Sequence, residues 1–465
     1  MKTRKITIEN RTLDSQQTAC VLCDAHNQLI IAGAGTGKTT TIIGRVKELL
    51  KICSPDDILV LSFTNASAAE MRERLHNETG LPVPTSTFHA LGLKILTELS
   101  DAKPRICRLD LTQFAMSHGH SEENAERIET EIHFHKSTGA LFASRAAAII
   151  YDAYKAHLHQ RNEIDFHDMI NLATGQVRLG NYTHQWKYVL IDEYQDISPA
   201  RFALLAALRQ INDFSVFAVG DDWQSIYAFT GSDINYVLNF EHFFGATTIN
   251  KIETTYRFGN KLSRLSGNFI MQNQMQITKQ LRAKHGGKRP ALIEARGAEQ
   301  LLSLLALTLE TLPQYATVLI LGRYRREIEI FEKSTLFDVA EEAIIYLGRE
   351  DLSVRYLTAH RAKGLEADFV FILSAGFPAK STCSATDIAE ERRLLYVAMT
   401  RARERTHFLS VEERGSVFLQ ELRPKLFLLY NCPECQSVLT VRKSEHGTTL
   451  GCGNIKKCKY RRVIL

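Results

Sequence analysis

The stretch Ile30-Ile31-Ala32-Gly33-Ala34-Gly35-Thr36-Gly37-Lys38-Thr39-Thr40 constrains this chain more than any other. Apolar residues run into small ones and then into Gly-Lys-Thr, so a strand turns into a helix that the pattern carries from Thr40 to Leu50. Glycines let backbone N–H groups approach an anion, and the helix N-terminus behind them adds partial positive charge. The pattern is that of a phosphate-binding P-loop, in which Lys38 would reach the β- and γ-phosphates and the Thr39 hydroxyl would ligate Mg²⁺. Ala32 stands where the strict motif has glycine, which makes this the A-x-x-G-x-G-K-T variant. The bland alternative is a glycine-rich turn with an incidental lysine, and the weight of the motif comes from a second stretch further along the chain.

That second stretch is Tyr188-Val189-Leu190-Ile191-Asp192-Glu193-Tyr194-Gln195-Asp196. Four apolar residues form a central strand, and two acids stand at its C-terminal end. A buried strand rarely ends in adjacent carboxylates without a cation or a helix N-terminus beside it. With Lys38 nearby, Asp192 would hold Mg²⁺ and Glu193 would orient and deprotonate an attacking water. Val216 to Phe229 repeats the arrangement of strand and polar loop. There Gln224 is placed to sense a γ-phosphate, and Trp223, Tyr227 and Phe229 offer aromatic faces on which bases of a single strand can stack.

The chain has 465 residues, too many for one core and suited to two to four domains. Its 45% hydrophobic and 23% charged content is that of a soluble globular protein, and its net charge of +5 is mild. No apolar run approaches the length that spans a bilayer, and the N-terminus lacks the apolar core of a signal peptide, so a cytoplasmic location is the default expectation. The basic part is the C-terminal segment, where Arg442, Lys443, Lys456, Lys457, Lys459, Arg461 and Arg462 face only Glu434 and Glu445. That balance fits an anionic polymer as partner.

Leu13 to Ala19 reads as a capped helix start, with Gln17 a candidate reader of an adenine edge. Cys20 and Cys23 read as apolar helix residues. Ile58 to Phe63 is a buried-type strand, and Phe63, Asn65 and His89 lie at strand ends, where an α/β sheet places its ligands. From Leu91 to about Lys187 the sequence turns helical and rich in histidine, and reads as an insertion between strands of the first core. His118, His120, His133 and His135 within it lack an ordered ligand set and read as solvated. The run Glu390 to Arg403 reads as a helix carrying more arginines than solvation of one face needs.

Of nine cysteines, four cluster at the end as Cys432-x₂-Cys435-x₁₆-Cys452-x₅-Cys458. Thiolate pairs separated by a hairpin-length stretch suit tetrahedral Zn²⁺, and a domain this small needs a metal to hold its fold.

Taken together, Ala32 to Thr39, Phe63-Thr64-Asn65, Asp192 to Asp196, Gly220 to Tyr227, Thr255-Tyr256-Arg257, His360 to Glu366 and Glu391 to Arg403 resemble, in order, the motifs of the UvrD/Rep-like superfamily 1 DNA helicases, the helicase IV group in particular. The resemblance runs from about Leu13 to about Leu409. It implies an α/β fold of two RecA-like parallel-sheet lobes with a helical insertion in the first, and the cysteine spacing adds a small C-terminal zinc ribbon. The expected boundaries are 1–92 and 186–254 for the first lobe, 93–185 for the insertion, 255–426 for the second lobe and 430–465 for the ribbon. It implies ATP as cofactor, held by the loop Ala32, Gly33, Ala34, Gly35, Thr36, Gly37, Lys38, Thr39 and Thr40. Gln17 and Tyr256 would bind adenine, Glu366 would meet the ribose, Arg257 and Arg401 would be the arginines of the second lobe, and Gln224 would couple γ-phosphate to DNA. Single-stranded DNA and its junctions with duplex would be the partner, touched by Phe63, Asn65, His89, Tyr227, Phe229, Thr358 and His360.

Two departures stand out. Only about 100 residues separate Arg257 from Thr358, about what one α/β lobe needs, so the large insertion that UvrD and Rep carry there is expected to be small or absent. A counterpart of the N-terminal extension of helicase IV is not expected, whereas a tail resembling topoisomerase zinc ribbons is. A translocase that does not separate strands, and a subunit of a repair or phage-defence complex with a protein partner, are the alternative readings.

Overall fold

The computed structural model describes residues 5–100, 104–373, 377, 385–411, 416–444, 447–454 and 458–463. Glu445, Lys456 and Lys457 of the basic C-terminal segment lie outside the described residues. The chain divides into two compact units, residues 1–32 with 37–252 and residues 33–36 with 253–465.

The first unit opens with a hairpin of β1 (Thr7–Ile8) and β2 (Arg11–Thr12), followed by α1 (Ser15–Leu22). Then β3 (Asn27–Ala32), α2 (Lys38–Leu49), β4 (Ile58–Ser62), α3 (Asn65–Thr79), β5 (Thr85–Thr87) and α4 (Phe88–Glu98) alternate. The histidine-rich region contributes β6 (Arg105–Ile106), α5 (Leu111–Ser117), α6 (Glu122–Thr138), α7 (Arg145–Arg161), β7 (Glu163–Ile164) and α8 (Phe166–Arg178). The unit closes with β8 (Tyr188–Ile191), α9 (Pro199–Ile211), β9 (Ser215–Gly220), α10 (Asn235–Leu238), α11 (Phe240–Phe244) and β10 (Thr247–Ile252).

Its sheet has the order β10-β3-β9-β8-β4-β5, with every pairing parallel. The continuous Leu/Ile/Val runs of β3, β4 and β8 follow from this, because helices cover both faces of a parallel sheet. Ile42, Ile43, Val46 and Leu49 recur at helical spacing along α2 and bury that face against Ile30, Val60 and Val219. The insertion has its own apolar cluster, built on Phe114, Ile128, Ile132, Ile150, Tyr154 and Leu158. Of its histidines, His118 stays exposed beside Phe114 at 4.4 Å, whereas His135 is half-buried and stacks on Phe142 with ring centroids 4.2 Å apart. An imidazole ring can pack against other rings, which the polar surroundings in the sequence conceal.

The second unit begins with β11 (Thr254–Thr255), α12 (Asn260–Ile270) and β12 (Arg282–Ala283), the two strands pairing in parallel. β13 (Ala291–Ala295), α13 (Ala298–Glu310), β14 (Thr317–Gly322) and α14 (Glu329–Glu332) follow. Next come β15 (Phe337–Ala340), β16 (Ala343–Tyr346), β17 (Ser353–Thr358), β18 (Ala367–Leu373), α15 (Ala385–Met399), β19 (Ala402–Val411), α16 (Val417–Leu422) and β20 (Phe427–Leu428). The sheet order is β15-β16-β17-β14-β18-β19-β13-β20, parallel except where β16 meets its two neighbours. Between β14 and β17 the described chain holds a 3-10 turn (Arg325–Ile328), α14 and the β15–β16 hairpin, which extends the sheet itself.

The helix expected over Glu390 to Arg403 ends earlier, at Met399, and Arg403 lies on β19. Ala402 pairs with Ala367 and Arg405 with Phe369, and the continuous buried run Thr406 to Ser410 is a strand pattern that the preceding helical run masks. A three-stranded antiparallel sheet of β21 (Leu439–Ser444), β22 (Gly447–Cys452) and β23 (Arg461–Val463) ends the chain. It does not stand alone. Cys432, Leu439, Leu450, Cys452 and Cys458 share one buried cluster with Leu301, Leu304, Leu305 and Leu309 of α13, and Gln300 Nε2 donates to the Leu439 carbonyl (2.9 Å).

Candidate functional site

Helix α2 starts at Lys38, two residues before the expected Thr40, and its N-cap is Gly37 in the left-handed region (φ 81°) with no side-chain cap. Asp14, Thr64, Thr87, Ser144, Asp165 and Ser198 cap their helices with a side-chain oxygen. The first turn of α2 therefore presents its N–H groups to an external anion. Ala32, Gly33 and Ala34 are buried, Thr36 Oγ1 donates to the Gly33 carbonyl (2.9 Å), and Thr39 and Thr40 are half-buried at the helix start. Gln17 shares a capping box with Asp14 and is buried, its amide nitrogen 2.6 Å from where a Cβ on Gly37 would stand. The residues that would cradle phosphates are thus assembled by the β3–α2 turn alone.

Asp192 and Glu193 come directly after β8. Glu193 sits at φ 50°, ψ 40°, a left-handed conformation that is costly for a residue with a Cβ. Lys38 Nζ pairs with its carboxylate (3.2 Å), and Gln195 Nε2 donates to Glu193 Oε2 (2.6 Å). Burial, and then the neighbouring Glu193, push the Asp192 carboxyl up to about 7, against the opposing pull of Lys38. Two acids sharing one ammonium make a donor set short of positive charge, and a divalent cation on Asp192 and the Thr39 hydroxyl would supply it. Gln195 is fully buried and its Oε1 accepts the Asp221 N–H (2.8 Å), while the Asp221 carboxylate accepts from the Gln224 amide. Gln195 thus joins the loop after β8 to the loop after β9. Sequence reasoning misses it although a signal is there, an amide between two acids in a buried segment.

Of the aromatic residues after β9, Trp223 is fully buried and is core, whereas Tyr227 is half-buried and Phe229 is 52% exposed. Trp223 therefore offers no face to a base. Tyr227 and Phe229 stand 6.2 Å apart, tilted by 56°. Phe63 lies beneath the Arg201 guanidinium (4.0 Å), Asn65 is exposed at the start of α3, and His89 stands in the first turn of α4. Burial and then Arg201 hold His89 down at about 4, so it is neutral at pH 7 and offers a ring and hydrogen bonds rather than charge. Phe166, 61% exposed, meets the His89 ring edge to face at 6.3 Å. Sequence reasoning misses Phe166 too, because a single phenylalanine at a helix start reads as core until its exposure is seen.

In the second unit, Tyr256 is 42% exposed beside the Lys284 ammonium (4.8 Å), and its N–H donates to the Gly35 carbonyl (2.9 Å). Arg257 pairs with Glu366 (2.8 Å) and donates to the Thr400 carbonyl (3.3 Å). Glu366, expected at a ribose, also pairs with Arg403 (3.0 Å). Arg401 is 2% exposed and its guanidinium donates to the carbonyls of Val397 (2.9 Å) and Leu365 (3.3 Å). Thr358 ends β17 and His360 stands just beyond it. Burial and then Arg323 hold His360 at about 4. Arg323 and Arg326 flank the Tyr324 ring at 4.9 and 5.2 Å. This basic-aromatic loop after β14 is a further candidate surface for a polyanion, signalled by Gly-Arg-Tyr-Arg-Arg after an apolar strand.

The Sγ atoms of Cys432, Cys435, Cys452 and Cys458 all lie within 4.8 Å of one another, with Cys432–Cys458 at 3.6 Å and Cys435–Cys452 at 3.4 Å. Tetrahedral Zn²⁺ with Zn–S near 2.3 Å sets sulfurs about 3.8 Å apart, so the cluster fits that ion. No histidine joins a metal-type group among the described residues, and Cys20 is buried core while Cys23 caps α1 half-exposed. Among the described residues no helix is long and apolar enough to cross a membrane.

Residues 16–230 match a family model described as an AAA domain, and residues 329–413 match the UvrD-like helicase C-terminal domain. The chain is 31% identical to DNA helicase IV of Escherichia coli (strain K12), over 90% of this chain and 71% of that protein. It is 30% identical to DNA helicase II of Rickettsia typhi, over 58% of this chain and 46% of that protein. It is 29% identical to the ATP-dependent DNA helicase UvrD1 of Mycobacterium leprae, over 56% of this chain and 40% of that protein. The chain thus spans less than half the length of the latter two.

Proposed function

The chain belongs to the UvrD-like family of DNA helicases, and from that premise we propose that it is an ATP-dependent enzyme that translocates 3′ to 5′ on single-stranded DNA and opens duplex ahead of it. The observation that carries the reading is the assembly, within one unit, of an uncapped helix N-terminus, Lys38, Asp192 and a strained Glu193. Phosphate oxygens would rest on the open N–H groups of α2 and on Lys38. Mg²⁺, held by Thr39 and Asp192, would supply charge neutralisation on the phosphates. Glu193, fixed by Lys38 and Gln195, would accept the proton of the attacking water. Tyr256 and Gln17 would hold the adenine, Arg257 and Arg401 would stabilise the developing phosphate charge, and Glu366 would serve the ribose once released from its arginines.

Single-stranded DNA would run over Phe63, His89, Phe166, Tyr227 and Phe229 in the first unit and over Thr358, His360 and the Tyr324 loop in the second. Stacking and neutral imidazoles suit a sequence-tolerant grip. Asn65 would add a hydrogen bond. The four cysteines would bind Zn²⁺ and brace the second unit through the cluster shared with α13. Repair or recombination is the proposed setting. The alternative, a DNA-stimulated translocase working inside a repair or defence complex, is favoured by the short segment between β14 and β17.

The test is strand displacement with ATP on matched duplexes carrying a 3′ or a 5′ single-stranded tail, with Lys38→Ala as control. Unwinding of the 3′-tailed substrate alone, lost in the control, is expected. Unwinding from the 5′ tail would overturn the polarity. DNA-stimulated hydrolysis without unwinding of either substrate would replace the helicase by the translocase.

A further inference from the structure

The loop that carries Gln224, Tyr227 and Phe229 ends at Gly231, which is buried at φ +93°. The reason lies in the insertion. A Cβ on Gly231 would stand 2.8 Å from the Cβ of Ser137 and 3.0 Å from Cγ2 of Thr138, the last two residues of α6. Backbone conformation and close approach both require glycine here. The end of α6 thus rests directly on the loop.

That end is held by charge. Lys136 is buried, and its ammonium pairs with Asp165 and with Asp168 (2.9 Å) in the first turn of α8. It also lies over the Tyr154 ring of α7 at 5.7 Å. Asn171 donates to the Lys136 carbonyl (3.1 Å), and the Ser137 hydroxyl meets His167 Nδ1 at 3.2 Å. Asp165 is in turn the N-cap of α8, so it sets the first turn from which Phe166 reaches His89. Contacts therefore run without a break from Phe166 and His89, through Asp165, Lys136 and Ser137, to Gly231. From there they continue along the loop to Gln224, Asp221, Gln195 and Glu193. Breaking the set would strand the Lys136 ammonium, whose side chain is 6% exposed, and an unpaired charge at that depth is costly.

We infer that Lys136 is a positioning residue that seats the end of α6 on Gly231, so that occupancy of the single-strand track at Phe166 and His89 is transmitted to the hydrolytic carboxylate. The assignment rests on the helicase reading above. It gives the insertion a task within the ATPase cycle that needs no contact with duplex.

The test compares ATP turnover without DNA and at saturating oligo-dT in the full chain and in Lys136→Met, together with oligo-dT affinity by fluorescence anisotropy and the melting temperature. Turnover without DNA and affinity for oligo-dT should stay within about twofold, while the stimulation by DNA falls about tenfold. Lys136→Arg, which keeps the charge and can bridge both carboxylates, should recover most of it. Because Lys136→Met leaves two carboxylates facing each other, the neutral variant K136M/D165N/D168N is measured beside it. Asparagine still caps α8 there, so the fold is retained and the same loss of stimulation is expected. Full stimulation in either folded variant overturns the inference while leaving the helicase reading intact. Absence of DNA stimulation in the unsubstituted chain overturns both.

Discussion

The two units are built on parallel sheets of similar plan, yet the C-terminal ends of their strands carry opposite charge. In the first unit β8 runs into Asp192 and Glu193, and β9 into Asp221 and Asp222. In the second, β14 runs into Arg323, Arg325 and Arg326, and β17 into Arg361 and Lys363. One fold thus makes one rim that suits a cation and one that suits a polyanion. The first rim also stores strain, in Glu193 and in the buried Asp192, whereas the arginines of the second are satisfied: Arg257 by Glu366, Arg323 by Glu391 (2.8 Å) and Arg401 by backbone carbonyls. Strain marks where chemistry is expected, and satisfied arginines mark a surface that must break ion pairs to engage a phosphate.

The largest test of that contrast is Glu193→Gln. It should retain ATP and DNA binding while hydrolysis falls by about 10³-fold, as measured by phosphate release against nucleotide affinity. Turnover near that of the unsubstituted chain would remove Glu193 from the base role and make its strained backbone incidental.

Next in size is the frame of the second unit. Purified protein should carry one equivalent of zinc, and Cys435→Ser should lose it. Because Cys432, Cys452 and Cys458 share a core with α13, the damage should reach beyond the ribbon. A drop on the order of 3 kcal/mol in the stability of the second unit, read by urea unfolding, is expected. Zinc-free protein of unchanged stability would make the cluster four neighbouring thiols and nothing more.

The third test isolates the acid rim. Asp192 is held near 7, above the ordinary carboxylate range, so ligand-free protein keeps the benefit of its protonated form below pH 4 and loses it as pH rises through 7. Asp192→Asn should therefore stabilise the ligand-free protein at pH 8 by on the order of 2 kcal/mol and do nothing below pH 4. The same substitution should abolish Mg²⁺-dependent hydrolysis. An equal gain at both pH values, read by thermal melts, would contradict the assigned burial of charge.

The smallest effects separate the two modes of DNA contact. Phe229→Ala should weaken binding to single-stranded DNA by about 1–2 kcal/mol with an unchanged salt dependence. Replacing Arg325 and Arg326 by alanine should instead flatten the dependence of log K on log salt by about 0.7 for each phosphate that is no longer neutralised. If both variants moved the salt slope alike, the distinction between a stacking rim and a charged rim would fail.

Much of the first unit is legible from residues alone, since its chemistry is written in short contiguous stretches. A strand that ends in Gly-Lys-Thr and a strand that ends in two acids each pair local structure with local chemistry. The second unit is legible mainly through family resemblance. Its arginines lie on separate elements, and the helix expected through Arg403 stops at Met399 because pairing of Ala402 with Ala367 overrides local helical preference. Gln195 and Phe166 escape a sequence reading for a related reason, because burial of the one and exposure of the other are properties of packing.

By itself the sequence determined the phosphate loop, the acid pair, the α/β alternation and the metal-type cysteine spacing, because each is read along the chain without knowing which distant segments pack together. Only the tertiary structure decided that Trp223 is core while Phe229 is surface, that the cysteine ribbon is fused to α13, and that α6 rests on Gly231. These depend on contacts between segments far apart in the chain. Such contacts are set by which apolar faces bury together, and no local pattern encodes that choice.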